Sequence, residues 1–456
     1  METQLKAARH GHIMSGSFRV ALVTCKHVYS SQYAKKCNAL AHCENLAVGY
    51  IAAVLEQHGF LPDIFSYPLQ GFSRRALVSE LRRGNYRLVG FSINSANLLE
   101  AVRVAQALPS ETHCCFGGYA ASLAPDELLA HQRVDSLVVG EGEFPFLELA
   151  QALSEGRSPE DIPNLYTRKR RNPLRPLTDL QTLPLPSRRE LAEYYERSCV
   201  PPGLGRRVAL VSTSRGCWGS CSFCFVTKFY RLARGPCIRY RQPSQVADEI
   251  EQLARGPLGI EYIWFVDEEF IGRRPDRILT FVAEMRKRGL SVPFEFDCRT
   301  DSVEKSLFEG LKSVGLVKVF LGVESFSQAF LDRVRKGITV ETNLQAINIL
   351  QRLGIDYRLG MIFFDSRTTL AELRENVEVC HALDFARVND PGRVLTMHSP
   401  VRRGIPRGYR ARRVFEQLHT EIDRQFSAAR RIDLVALTKI RRQVGDYFLA
   451  LVRERR

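Results

Sequence analysis

The sequence has 456 residues, a formal net charge of +15, 45% apolar residues and 25% charged residues. This length predicts two or three domains, and the composition is typical of a globular chain rather than a disordered or fibrous one. No apolar run approaches the roughly 18 residues of a membrane span, and METQLKAARHGHIMSGSFRV lacks the apolar segment of a secretory signal. We therefore expect a cytoplasmic protein whose twelve cysteines are free, metal-binding or catalytic.

The positive charge is spread along the chain, apart from RKRRNPLR at 168–175 and arginine-rich segments after residue 400. No RNA-recognition or helix-turn-helix signature accompanies these segments, and no aromatic residues are interleaved with them for base stacking. We interpret them as solvated surface. Nucleic acid is therefore not an expected partner.

Residues 1–17 form an N-terminal tail, and residues 18–153 alternate short apolar strands with helical patterns. FRVALVT, LPDIFSY, YRLVGFSI, HCCFGG and DSLVVGEGE are typical of strands, and segments such as ENLAVGYIAAVLEQHG are typical of helices. Strands separated by helices of this length predict a parallel sheet covered on both faces. The first domain is therefore predicted to be doubly wound and Rossmann-like.

Residues 154–205 are rich in proline and charge and weak in period, which predicts a linker. From residue 206 the alternation returns, with six strand–helix units up to about residue 400. This pattern predicts an α/β partial (β/α)6 barrel of the TIM type, with function at the C-terminal ends of its strands. Residues 401–456 are predicted to be a basic, helical C-terminal region.

Three cysteines follow the first strand of the predicted barrel in the stretch STSRGCWGSCSFCFV. Cys217, Cys221 and Cys224 have the spacing C-x3-C-x2-C, and neither Cys199 nor Cys237 completes a second pair for a structural zinc site. A disulfide cannot use three thiols. A four-iron cluster held by three thiolates, by contrast, leaves one iron open to bind a ligand.

The motif CWGSCSFC after a strand resembles the signature of the radical S-adenosylmethionine (radical SAM) superfamily, with Phe223 as its aromatic residue. The resemblance implies that Cys217, Cys221 and Cys224 ligate a [4Fe–4S] cluster. It also implies that S-adenosylmethionine (SAM) binds the open iron and is cleaved by one-electron reduction to a 5′-deoxyadenosyl radical.

The same resemblance extends to other strand ends. In FVDEEF, Asp267 and Glu268 are the candidates for contacting the amino group of SAM. Arg299 in FDCRTD is a candidate partner of the SAM carboxylate, since guanidinium pairs with carboxylate in a bidentate manner. The remaining candidate cofactor contacts lie in VFLGVES and LGMIFF and are Glu324, Ser325, Gly360 and Ile362.

The N-terminal domain is similar to the cobalamin-binding domain that precedes the barrel in one branch of the superfamily. Glycines after the strands permit a close approach of backbone to a flat ligand, and serines offer hydroxyls to a nucleotide tail. The candidate contacts are Ser92, Ser95, Gly117, Gly118, Gly140 and Gly142. This sequence departs from the D-x-H-x-x-G motif that such domains usually carry after the first strand. In CKHVYS, His27 lacks the neighbouring aspartate that would orient an axial histidine ligand.

The leading hypothesis is a cobalamin-dependent methyltransferase acting on an unactivated carbon of a small-molecule natural product. The alternative is a cobalamin-independent dehydratase, epimerase or rearrangement enzyme acting on a sugar or aminocyclitol. That alternative needs an acid or base, for which Tyr230, Tyr240 and Tyr357 are candidates. Modification of RNA or a peptide is a further alternative. An electron donor such as flavodoxin or ferredoxin is an expected partner.

Overall fold

The computed structural model describes residues 18–26, 43–94, 97–197, 205–363, 368–383 and 387–389. They fall into two compact units: the first reaches to Gly205 and includes Leu232–Arg234, and the second contains Asp179–Gln181, Arg206–Arg231 and the chain from Gly235 onward. His27, Ser95 and the predicted region 401–456 lie outside the described residues.

The first unit is built on a six-stranded sheet. Its strands are β1 (Val20–Thr24), β2 (Asp63–Ser66), β3 (Leu88–Ser92), β4 (His113–Gly117), β5 (Ser136–Val138) and β6 (Leu165–Tyr166). They are ordered β2-β1-β3-β4-β5-β6, and every pair is parallel except the antiparallel pair β5 and β6. This order reverses direction between β1 and β3, as in doubly wound folds that bind a ligand at the reversal.

Helices cover both faces of this sheet. They are α1 (Leu46–Gln57), α2 (Tyr67–Gln70), α3 (Arg74–Arg83), α4 (Leu98–Gln106), α5 (Tyr119–Leu123), α6 (Pro125–Leu129), α7 (Glu143–Ser154) and α8 (Arg189–Arg197). Alternate residues of each strand enter different cores: Val23 of β1 packs with residues of α3 and α4, whereas Leu22 packs with residues of α1 and α7. The doubly wound prediction is confirmed.

The predicted linker, 154–205, contains ordered elements. It contributes the edge strand β6, a 3-10 turn at Leu180–Thr182 and helix α8, in which Leu191 and Tyr195 are buried. A two-residue strand and a proline-rich approach carry almost no periodicity, so the pattern predicted none of these elements.

The second unit is built on another six-stranded sheet. Its strands are β7 (Val208–Val211), β10 (Tyr262–Phe265), β11 (Phe294–Arg299), β12 (Leu316–Glu324), β13 (Asp356–Met361) and β14 (Val388–Asn389). They stand in chain order and every pair is parallel. The strands β8 (Ser214–Gly216) and β9 (Ile238–Tyr240) form a separate antiparallel ribbon. Sequential parallel strands without a reversal are those of a partial barrel.

The helices of this unit follow the strands in alternation. They are α9 (Val226–Tyr230), α10 (Pro243–Arg255), α11 (Pro275–Lys287), α12 (Lys305–Lys312), α13 (Gln328–Arg333), α14 (Val340–Leu353) and α15 (Leu370–Ala382). Both α10 and α11 begin with proline, whose fixed φ suits a first helical turn. Phe265, Phe270 and Phe296 form the centre of an aromatic core, in which the rings of Phe270 and Phe296 stack 4.3 Å apart. In the described part of the chain, no helix is long and apolar enough to cross a membrane.

Candidate functional site

The β8–β9 ribbon fixes the start of the three-cysteine loop. Gly216 ends β8 with a φ of +95°, and a Cβ built there would stand 1.8 Å from the carbonyl oxygen of Cys237. A side chain cannot fit at this distance. The glycine therefore lets the two ribbon strands approach and directs the chain into Cys217.

The three thiols lie half-buried on one short loop between β8 and α9. A Cβ built on Gly219 would stand 3.5 Å from the Cys217 sulfur and 3.7 Å from the Cys221 sulfur, so both thiols face the same glycine. Burial raises the pKa of the Cys217 thiol to about 11 and also raises the pKa of Cys224. Thiols of this kind need a bound cation to become thiolates at neutral pH.

The three cysteines are the predicted ligands of an iron–sulfur cluster. Among the described residues, no group of three or more histidine, cysteine, aspartate or glutamate side chains converges on one metal ion. Three cysteines spread along a loop suit the larger iron–sulfur cube, and the backbone N–H of Gly219 donates to the Cys217 sulfur at 3.3 Å, as cluster ligands require. We retain the prediction that these cysteines hold the cluster.

Asp267 lies just after β10 and is almost completely buried. Its carboxylate accepts hydrogen bonds from the backbone N–H of Thr213 at 3.0 Å, from the Thr213 hydroxyl at 2.7 Å and from the Ser214 hydroxyl at 2.5 Å. Burial raises its pKa. These contacts tie the end of β10 to the β7–β8 turn. The contact of Asp267 with SAM stays a prediction. Its carboxylate oxygens already accept several hydrogen bonds and have little room to accept more.

The next two acidic residues support neighbouring backbone. Glu268 accepts a hydrogen bond from the N–H of Gly216 at 3.0 Å. Glu269 is fully buried and accepts from the N–H groups of Arg299, Ile271 and Gly272 at 2.7–3.2 Å. Burial raises the pKa of Glu269 to about 7. The sequence does not single out Glu269, because the N–H of Arg299, 30 residues further along the chain, reaches it only in the folded structure.

Arg299 ends β11 beside the cysteine loop. Its guanidinium donates to both carboxylate oxygens of Asp301, at 2.9 and 3.0 Å, and to the carbonyl of Lys336 at 2.7 Å. A further N–H points to the Cys221 sulfur at 3.7 Å, and the group lies 4.3 Å from the centre of the Trp218 ring. The predicted pairing with the SAM carboxylate stays untested, and the bidentate partner in the structure is Asp301.

Glu324 ends β12 in a backbone conformation that L-residues rarely adopt, with a φ of +63°. Its carboxylate pairs with Lys336 at 3.1 Å, and both side chains are buried. The register of β12 against β13 shifts between Leu321 and Glu324. Lys336 was not among the predicted site residues, because only the fold brings the KGIT segment back to the end of β12. Strained backbone beside a buried ion pair is a feature of functional sites.

Ser325 and Gly360 have structural partners. The Ser325 hydroxyl is completely buried, donates to Asn376 at 3.0 Å and accepts from the N–H of Ser327 at 3.0 Å. A Cβ on Gly360 would stand 2.7 Å from the ring of Phe320, so cross-strand packing demands glycine there. Neither contact tests the predicted role toward SAM.

Phe223 anchors the cysteine loop to the barrel. Its partly buried ring packs against a cluster of Phe330, Val334 and Ile362, and the backbone N–H of Ser222 donates to the Val334 carbonyl at 2.8 Å. The N–H of Ile362 in turn donates to the carbonyl of Glu324 at 2.7 Å. The structure thus brings Phe223, Ile362 and Glu324 together, and their contacts with the cluster and SAM stay predictions.

The three candidate tyrosines differ in their positions. Tyr357 is the second residue of β13, is buried, and accepts a hydrogen bond from Gln351 at 2.9 Å, so it lies at the opposite end of the sheet. This position argues against its predicted catalytic role. Tyr230 is buried in ring contact with Phe229. Tyr240, whose pKa is raised by burial, contacts Arg277 through its ring face.

In the first unit, polar groups meet where β1 and β3 end. The side-chain amide of Asn45, which also caps the N-terminus of α1, donates to the Thr24 hydroxyl at 2.9 Å and to the Ser92 hydroxyl at 3.2 Å. This is the reversal point of the strand order, where the carboxyl ends of parallel strands leave a crevice. Ser92 therefore lies where a nucleotide tail was predicted.

The candidate glycines lie along the same edge of the sheet. Gly117 ends β4, and Gly118 has a φ of +103°, with a Cβ position 2.6 Å from the Ile93 carbonyl. Gly140 has a φ of +87° and donates its N–H to Ser122 at 2.9 Å, while Gly142 precedes α7. The positive φ at Gly118 and Gly140, together with the Ile93 carbonyl beside Gly118, requires glycine at these positions within the fold itself. Contact with cobalamin stays a prediction.

A barrel-like parallel sheet with three thiols after its first strand defines the radical SAM class. Residues 211–379 match the radical SAM superfamily, and residues 38–150 match the B12 binding domain. The chain therefore carries a radical SAM domain preceded by a B12-binding domain. The radical SAM domain implies a [4Fe–4S] cluster and SAM, and the B12-binding domain supports cobalamin as a further cofactor.

Similar curated proteins carry different activities. An uncharacterized methyltransferase of Pyrococcus horikoshii is 26% identical over 65% of this chain and 64% of its own length. The hopanoid C-3 methylase of Methylococcus capsulatus is 25% identical over 75% of this chain and 64% of its own length. The anaerobic magnesium-protoporphyrin IX monomethyl ester cyclase of Rubrivivax gelatinosus is 27% identical over 68% and 56%. The chain thus spans less than two thirds of each of these relatives.

Solved structures of the same fold include the cobalamin-dependent SAM radical enzyme OxsB with aqua-cobalamin and SAM bound. It superimposes with a TM-score of 0.69 at 19% identity, covering 85% of this chain and 60% of that one. The radical SAM methyltransferase TsrM from Kitasatospora setae, with cobalamin and a [4Fe–4S] cluster bound, gives a TM-score of 0.65 at 20% identity, covering 81% and 70%. These likenesses establish the fold.

Proposed function

We propose that the protein is a cobalamin-dependent radical SAM methyltransferase that methylates an unactivated carbon of a small molecule. The observation that carries the proposal is the three-thiol loop at the strand ends of an all-parallel sheet, in a chain that also matches a B12-binding domain. Relatives named as a methyltransferase and a methylase support the transfer of a methyl group.

In this proposal Cys217, Cys221 and Cys224 hold the cluster through their sulfurs. When bound, the cluster and SAM supply a carbon-centred radical that removes a substrate hydrogen, and cobalamin supplies the methyl group. Asp267 and Glu268 shape the loop, because they accept hydrogen bonds from Thr213, Ser214 and Gly216 directly before Cys217. The contacts of Glu268, Glu324, Ser325, Gly360 and Ile362 with SAM belong to the proposal.

Cobalamin is proposed to bind at the carboxyl edge of the first sheet. Thr24, Asn45 and Ser92 offer hydroxyl and amide groups at the strand reversal. Gly118 and Gly140 place no side chains on this edge. A single-electron reductant such as flavodoxin or ferredoxin is the proposed partner, in the reducing cytoplasm. Such a compartment keeps the cluster thiols reduced.

The test is anaerobic reconstitution with iron, sulfide and hydroxocobalamin, followed by desalting and a visible absorption spectrum. About one corrin per chain beside the iron–sulfur chromophore is expected. With dithionite and SAM, formation of both S-adenosylhomocysteine and 5′-deoxyadenosine would then support methyl transfer. The triple variant Cys217→Ala/Cys221→Ala/Cys224→Ala is the control, which should lose the iron chromophore and retain corrin.

A second candidate comes from the similarity to a protoporphyrin ester cyclase, which is not named as a methyltransferase. In this alternative the chain uses the same radical for a ring closure or rearrangement. Production of 5′-deoxyadenosine without S-adenosylhomocysteine, from protein that carries corrin, would favour this second candidate. A protein that takes up iron but no corrin would contradict the cobalamin-dependent proposal.

A further inference from the structure

We propose that Arg299 is a positioning residue of the cluster loop, which holds Cys221 and makes the cluster easier to reduce, rather than the partner of the SAM carboxylate. This inference rests on the proposed binding of the cluster by Cys217, Cys221 and Cys224. It concerns how readily that cluster accepts its electron.

The guanidinium is clamped on several sides. Asp301 accepts from Nε and Nη2 at 2.9 and 3.0 Å, and the Lys336 carbonyl accepts from Nη2 at 2.7 Å. The Trp218 ring centre lies 4.3 Å from the Arg299 guanidinium carbon. The side chain is only 6% exposed. A planar group with this many contacts has one available orientation.

That orientation directs Nη1 toward the cysteine loop. Nη1 lies 3.7 Å from the Cys221 sulfur and 3.1 Å from the position of a Cβ on Gly219, the residue that faces both Cys217 and Cys221. Gly219 therefore leaves the space through which the guanidinium reaches the sulfur. A larger residue at 219 would separate the two groups.

The inventory of N–H groups argues against the predicted role at SAM. Guanidinium has five N–H donors, and a bidentate grip on a carboxylate needs two on one edge. Four are directed to Asp301, to the Lys336 carbonyl and to the Cys221 sulfur. One N–H is left, on Nη1, so the edge that could hold a second carboxylate is already used.

The expected chemical effect follows from charge. Reduction adds one electron to the cluster and no proton, so its negative charge rises by one. A nearby cation and an N–H donor to a cluster sulfur stabilise the more negative state, and hydrogen bonds to sulfur are among the factors that set such potentials. Arg299 should therefore favour the reduced cluster.

The experiment compares reconstituted wild type with Arg299→Gln, Arg299→Lys and Arg273→Gln. Arg273 is the matched control, because its guanidinium also lies 4.3 Å from the Trp218 ring but it has no contact with a cysteine sulfur among the described residues. Each protein is titrated with dithionite and redox dyes while the reduced cluster is followed by electron paramagnetic resonance. SAM affinity is measured separately by anaerobic calorimetry.

At the potential where the wild-type cluster is half reduced, we expect Arg299→Gln to be reduced to less than about a tenth, with or without SAM. A charged hydrogen bond of this kind is worth roughly a factor of ten or more. Arg299→Lys keeps the cation, so its reduced fraction should lie between those of wild type and Arg299→Gln. The reduced fraction of Arg273→Gln should match that of wild type. SAM affinity should change less than about threefold, because no SAM contact is removed.

An unchanged midpoint in Arg299→Gln together with a loss of SAM affinity would overturn the inference and restore the carboxylate role. If Arg299→Gln assembles no cluster, Arg299→Lys decides: a wild-type midpoint with weakened SAM binding overturns the inference. If the wild-type protein itself assembles no cluster, the proposed function fails, and this inference fails with it.

Discussion

Replacing Asp267 by asparagine separates two roles for this residue. In the structure its carboxylate accepts from the N–H and hydroxyl of Thr213 and from the hydroxyl of Ser214. If it holds the β7–β8 turn, the asparagine variant should be less stable and should assemble less cluster. If it binds the SAM amino group, stability should be unchanged and SAM affinity should fall.

The magnitude follows from its burial. Burial raises the pKa of Asp267, so its charge by itself does not stabilise the fold, and its removal alone costs little. The cost arises because the new amide group places N–H donors against the donors of Thr213 or Ser214. One buried donor left without an acceptor is worth about 1–3 kcal/mol. In a unit of this size each kcal/mol shifts Tm by about 2–4 °C, so we expect a decrease in Tm of about 2–12 °C.

Differential scanning calorimetry of the metal-free protein measures the stability, and iron per chain after reconstitution measures the assembly. Asp276→Asn is the control, since it makes the same change at an exposed carboxylate of the same unit and leaves the contacts of Asp267 in place. A variant with wild-type Tm and iron content, but with SAM affinity reduced tenfold or more, would refute the structural role of Asp267.

Three further predictions concern stability and cluster assembly. Lys336→Met leaves Glu324 buried without its cation and should cost about 3–5 kcal/mol in urea unfolding, whereas the double variant with Glu324→Gln should recover most of it. Gly216→Ala should lower the iron content per chain more than twofold, because its Cβ would overlap the Cys237 carbonyl. Gly337 also has a positive φ but lies in open space, so Gly337→Ala should lower the free energy of unfolding by only about 1 kcal/mol. Burial raises the pKa of Glu190 to about 8, so the folded state holds its proton where the unfolded state has lost it. Stability should fall by up to about 4 kcal/mol as pH rises from about 4.5 to 8, and Glu190→Gln should flatten this profile; an unchanged profile would contradict the assignment.

The repeating pattern of the chain was enough to predict both sheets. Strand and helix periods along residues 18–153 and 206–363 are strong because each strand buries one or both faces, and the cysteine spacing is local in sequence. The order β2-β1-β3-β4-β5 follows from crossover rules only as one choice among several. The edge strand β6, two residues long, left no periodic signal.

The partners of the candidate residues could not be predicted in the same way. Arg299 and Asp267 were expected to face SAM, yet in the structure they bind Asp301 and Thr213 among other groups, and only the folded chain shows that these donors and acceptors are already matched. Tyr357 has the chemistry of an acid but lies at the wrong end of its strand. Residue type and motif position indicate that a site exists. Which groups each side chain binds depends on the donors and acceptors that the fold places around it.

The six-stranded sheet of the second unit has a mechanical consequence. In a closed barrel the number of strands and their stagger fix the radius. Here β7 and β14 each have one neighbour within the sheet of the described chain, so no closure condition applies. The curvature can then change by small rotations between adjacent strands without breaking a backbone hydrogen bond. We therefore expect this sheet to adjust its curvature to substrates of different size.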